Sequence, residues 1–211
     1  MPWFDEVWLK EVFAGFMADK MVEAFLPGID HRLKFILEHV PSALSVDRSE
    51  GTHPITRFLG NLADAGTLYG HLIYHKAPVM MDQLELRVGA DQLREALGEY
   101  LRENAYGNAG WDSLVNILAI RDPELKEWSR RWVNEAGLPI ISVRRGEQQF
   151  AVSQFDSMGH GRSWKQSIDV IIQKGERIRQ VRLDMGKRHL SVELPEPFEQ
   201  PDVILPAGNG T

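Results

Sequence analysis

Trp132-Val133-Asn134-Glu135-Ala136-Gly137-Leu138-Pro139-Ile140-Ile141-Ser142-Val143 is the stretch in which the hydrophobic period of this chain changes. Before it, apolar residues recur every three or four positions, which places them on one face of a helix. After it they alternate, as on a strand with one buried side. Gly137 is a natural helix stop, and Pro139 cannot donate the backbone hydrogen bond a continuing helix needs. The 211 residues therefore read as an α+β, multidomain chain, helical over 1–138 and strand-forming over 139–211. No flexible linker composition marks the join.

Outward toward the N-terminus, Val7, Leu9, Val12, Phe13, Phe16, Met17, Met21, Val22 and Phe25 predict a helix that Pro27-Gly28 stops. Asp30 can cap a second helix over His31–Val40, ending before Pro41. Residues 47–60 read as a long irregular connection, and 61–88 as helix broken near Gly66 and Pro78. Residues 91–105 form an amphipathic helix with Leu93, Leu97, Tyr100 and Leu101 inward. A turn at 106–109 precedes a helix over 111–119, and Asp122-Pro123 opens the last helix. Toward the C-terminus, residues 140–143, 149–155, 167–173, 177–183 and 189–194 alternate between glycine-marked turns, predicting a small antiparallel sandwich or barrel.

Composition narrows the function classes. The net charge is -6, with 14 basic against 21 acidic residues before position 140 and 10 against 9 after it. Neither part carries a basic nucleic-acid footprint. Cysteine is absent, so a metal here would rest on imidazole and carboxylate. No stretch approaches the roughly 20 apolar residues of a membrane span. Glycine-rich phosphate loops and a G-x-S-x-G elbow are also missing.

The opening run Trp3-Phe4-Asp5-Glu6-Val7-Trp8-Leu9-Lys10-Glu11-Val12-Phe13-Ala14-Gly15-Phe16 contains a version of W-L-N-E-G-F-A, with Lys10 in place of Asn and Val12 in place of Gly. Thr52-His53-Pro54-Ile55, Ile73-Tyr74-His75-Lys76-Ala77, Ala105-Tyr106-Gly107-Asn108-Ala109, Trp132 to Val143, and Asp202 to Pro206 follow. Their order resembles that of the M1 zinc aminopeptidases (S-H-P-I, S-Y-x-K-G, A-Y-G-N-A, the W-x-x-x-x-G-x-P join). The resemblance implies the helical C-terminal half of a thermolysin-like catalytic domain followed by a small antiparallel β-sandwich.

It also implies roles. Glu11 matches the third zinc ligand, and Tyr74, 63 residues later, the phenol that donates to the oxyanion of the tetrahedral intermediate. The family's H-E-x-x-H, which precedes the third ligand by about eighteen residues, is absent from the chain. It is expected upstream of Met1, so the chain is expected to be a fragment whose missing N-terminal part is its partner, acting on peptide substrates with Zn2+ held by the full-length parent. Taken alone, Glu11 is an ordinary solvated residue near a helix start, and Tyr74 an ordinary packed tyrosine.

His71 and His75 have the i, i+4 spacing of H-E-x-x-H but enclose no glutamate, and read as structural, like His31, His39, His53, His160 and His189. The alternatives are a noncatalytic scaffold or interaction module derived from the same family, and an epoxide hydrolase on the same site. Loss of the first zinc helix is expected to expose Trp8, Phe13 and Phe16 and to favour self-association.

Overall fold

The computed structural model describes residues 6–146 and 148–206, with backbone only at Thr67 and Leu68; Trp3, Phe4 and Asp5 of the opening run lie outside the described residues. Two compact units divide between Ala136 and Gly137, and the chain is α+β.

The first unit is helical. It comprises α1 (Val7–Phe25), α2 (His31–Asp47), a 3-10 segment (Leu62–Leu68), a π-helical turn (Leu72–Lys76), α3 (Ala77–Val88), α4 (Ala90–Glu103), α5 (Trp111–Ala119) and α6 (Leu125–Val133). Its core combines Trp8, Trp111, Trp128 and Trp132 with Leu84, Leu93, Leu114 and Leu125. Trp8 meets Trp111 edge-on at 5.2 Å, and the Trp111 indole N–H donates to buried Ser129 Oγ at 2.7 Å. Trp8 is therefore fully buried, contrary to the expectation of exposure, and Phe13 packs edge-on against Tyr100.

Exposed apolar surface lies elsewhere. Met21, Phe25, Leu26, Leu33 and Leu37, on the second half of α1, its connecting turn and α2, face outward. Leu101, expected inside, is exposed as well, while Leu93, Ala96, Leu97 and Tyr100 carry the buried face of α4.

Two prolines act differently from expectation. Pro41 does not end α2, which continues to Asp47 with Pro41 on its exposed side. Pro78 does not break the helix either. A proline ring inside a helix crowds the carbonyl four residues earlier and gives it no N–H. That carbonyl belongs to Tyr74, and the helix accommodates the clash by widening to a π turn over 72–76 before continuing as α3. The break lies instead at Tyr69 and Gly70, whose carbonyl accepts from both Ile73 and Tyr74 N–H.

In the second unit, Gly137 adopts φ 93°, a conformation that only glycine enters freely. β1 (Pro139–Arg145), β2 (Gln149–Asp156) and β5 (His189–Glu193) form one antiparallel sheet in the order β1-β2-β5. β3 (Gln166–Lys174), β4 (Arg177–Met185) and β6 (Val203–Pro206) form another, in the order β4-β3-β6. Alternation puts Phe150, Val152, Ile168, Val170, Ile172 and Leu183 into a single apolar cluster contributed by both sheets. β6 is formed by the stretch that the sequence marks only as a motif.

Candidate active site

Glu11 lies one turn into α1, between buried Trp8 and Val12, with its carboxylate about a quarter exposed at the edge of the core. The Lys10 ammonium lies 3.3 Å from it. α1 packs against the π turn that carries Tyr74, and Tyr74 is 43% exposed. The two residues share an electrostatic neighbourhood. Partial burial first, then the charges of Glu11 and Tyr69, raise the Tyr74 phenol above its usual range, and Lys10 opposes them. Tyr69 stacks on Tyr74 with centroids 6.4 Å apart. The bond to Glu11 foremost, and then Tyr69, hold the Lys10 ammonium more firmly protonated. Chain positions 63 apart thus lie on two packed elements, near enough for the Glu11 charge to act on the Tyr74 phenol.

The motif lysine, Lys76, points the other way, into the core. Its Nζ lies 2.7 Å from Asp47 Oδ2, both side chains having no exposed surface, and donates to the Glu135 carbonyl at 3.4 Å. Thr52 Oγ1 donates to the other oxygen of Asp47. Sequence reasoning assigned no role to Asp47, Lys76 or Tyr69. The lysine of the Tyr-x-Lys element was the available signal, but its partner lies 29 positions away and only folding identifies it.

The His71 and His75 rings stack at 5.3 Å, and His75 Nδ1 lies 3.3 Å from His39 Nδ1. Burial first, then His39 and His71, push the His75 imidazole toward its neutral form. Among the described residues no group of three or more His, Asp or Glu side chains is arranged to hold a metal ion. A catalytic zinc takes three protein ligands, and Glu11 offers one carboxylate already paired with Lys10. The described residues therefore do not fit a zinc ion by themselves. None of the described helices is long and apolar enough to cross a membrane.

Comparison with known proteins shows which sequences this chain resembles. Tricorn protease-interacting factor F2 of Thermoplasma volcanium is 28% identical over 181 residues, covering 83% of this chain and 23% of that protein. Aminopeptidase M1-C of Oryza sativa subsp. japonica is 27% identical over 164 residues, 77% of this chain and 19% of its own length. Leucyl aminopeptidase of Saccharolobus solfataricus is 24% identical over 155 residues, 73% of this chain and 20% of its own. The chain thus spans no more than about a quarter of the length of these relatives. The profile of the Peptidase family M1 domain matches residues 1–132, a range that includes Glu11 and Tyr74. With more than half of its length under that profile, the chain belongs to peptidase family M1.

Proposed function

We propose that this chain is a segment of a zinc metallo-aminopeptidase that removes N-terminal residues from peptides. Glu11 is its metal-ligand carboxylate and Tyr74 its oxyanion donor. Residues 1–138 are the helical part of a thermolysin-like catalytic domain, and 139–211 a β-sandwich domain. The observation that carries the reading is the convergence of Glu11 on α1 and Tyr74 on the π turn. Zinc, when bound in such an enzyme, supplies a Lewis acid and an activated water. The ligands that complete its site are proposed to lie in family sequence that these 211 residues do not contain. Tyr74 keeps its proton at neutral pH, because its surroundings raise the phenol, and a protonated phenol can donate to a developing oxyanion.

The pairing of Lys10 with Glu11 favours a second reading, a noncatalytic module derived from the family, because an ammonium beside the carboxylate competes with a metal for it. The purified 211-residue chain is expected to bind zinc poorly and to show no peptidase activity; zinc-dependent turnover by this chain would overturn the fragment reading. Grafting residues 1–138 in place of the matching segment of the Saccharolobus solfataricus leucyl aminopeptidase tests the roles. The chimera should hydrolyse aminoacyl-coumarin substrates, Y74F should lower kcat about 100- to 1000-fold, and E11Q should lose bound zinc. A folded, zinc-loaded but inactive chimera would favour the module, and an active one indifferent to Y74F would remove Tyr74 as the oxyanion donor.

A further inference from the structure

The Tyr74 carbonyl raises a separate question. It lies in the π turn, four residues before Pro78, which has no N–H to donate to it in an α-helical register. His39, buried on α2, brings Nδ1 to 3.0 Å from that oxygen. A carbonyl can only accept, so the proton sits on His39 Nδ1. The His75 Nδ1 facing it at 3.3 Å is then an acceptor, with the His75 proton on Nε2. His39 thereby ties the Tyr74 backbone to another helix.

The same helix holds the turn at a second point. Asp47 lies eight residues after His39, about 12 Å further along α2. It grips Lys76, the last residue of the π turn, in the buried ion pair. A π turn is one residue wider than its neighbours, with i→i+5 hydrogen bonds in place of the α-helical ladder. α2 fixes this one at the Tyr74 carbonyl and again two residues later.

We propose that His39 and Asp47 are positioning residues for Tyr74: α2 clamps the π turn at the Tyr74 carbonyl and at Lys76, and this sets the direction of the Tyr74 phenol. The functional importance of the clamp rests on the reading of Tyr74 as an oxyanion donor, but its existence does not. His39 and Asp47 touch no reacting atom in this scheme. They act through Tyr74, and a clamp failure should leave substrate affinity alone.

The test uses the full 211-residue chain with ring-labelled tyrosine, whose four side chains can be assigned by single Tyr→Phe variants. H39F keeps an aromatic ring to pack against Phe35 and His75 but cannot donate. It should shift and broaden the Tyr74 and Tyr69 ring signals while Tyr100 and Tyr106 stay in place. H39N, whose carboxamide can donate from nearly the position of Nδ1, should restore them. The double variant D47N/K76M, which removes both buried charges together, should displace the same two signals. A Tyr74 signal unmoved in H39F, or moved equally in H39N, overturns the clamp whatever Y74F does in the chimera. In an active chimera, H39F should lower kcat about 10-fold with KM unchanged; a KM effect of the same size would also count against it. If Y74F proves silent while H39F moves the Tyr74 ring, the clamp stands and the catalytic reading alone fails.

Discussion

Single residues here do work that their types do not advertise. Glu6, just ahead of α1, reaches across to accept from the Trp111 N–H at 2.9 Å and so caps the start of α5. A Cβ at Gly110 would come within 2.9 Å of the Glu6 Cδ. Because the clash falls on the end of a flexible side chain, its cost is the lost cap, about 1 kcal/mol. G110A should therefore lower urea-unfolding stability by that amount and do nothing further in an E6A background; additive losses would refute the shared cause.

Asp156 offers a pH test in the second unit. Burial pushes its carboxyl up, but the Arg162 side chain and the Arg162 and Met158 N–H groups outweigh burial and hold it well below the usual 3.8. Its native form binds a proton less readily than the unfolded chain does. The stability it contributes is thus complete above about pH 4 and disappears as pH falls toward the native value. D156N should flatten that acid branch in a pH series of unfolding curves, and an unchanged slope would show that another group carries it. Glu11 and Tyr74 could be named from the sequence because they stand in motifs. His39 could not, because its role depends on a carbonyl 35 residues away.

Elements show where local rules yield to tertiary context. Pro41 should end a helix, and by itself costs about 3 kcal/mol there. α2 nevertheless runs through it, because buried His39, Ala43 and Asp47 anchor the helix on both sides. P41A restores a backbone donor but gives up about 1 kcal/mol of unfolded-state restriction. The net expectation is a gain of roughly 2 kcal/mol, seen as a rise in Tm; a fall would refute Pro41 as a net cost to α2. Pro78 shows the opposite outcome, since its ring and missing N–H are absorbed by a π turn. In the second unit the period-two pattern carries the strands, whose observed bounds lie within about two residues of the sequence reading. β6 escaped because four residues are too few to show a period.

For the whole chain, the exposed apolar surface governs solution behaviour. It runs over Phe25, 75% exposed, and Leu37, 66% exposed, rather than over Trp8, which the core absorbs. Large exposed apolar side chains drive association when they lie together. Concentrated chain should sediment as more than a monomer, and F25E/L37E should shift it toward the monomer without lowering Tm. A clean wild-type monomer at high concentration would remove the patch as a cause.

The sequence by itself determined the α-then-β order, the change of period at Gly137 and the family, and singled out Glu11 and Tyr74 as candidates, because each is written in local spacing or in a contiguous motif. Only the tertiary structure decided that the helix of Glu11 packs on the turn of Tyr74, that Lys76 pairs with Asp47, that His39 bonds the Tyr74 carbonyl, and which half of α1 is buried. Those outcomes depend on desolvation and on hydrogen-bond partners distant in the chain, which no local pattern of residues encodes.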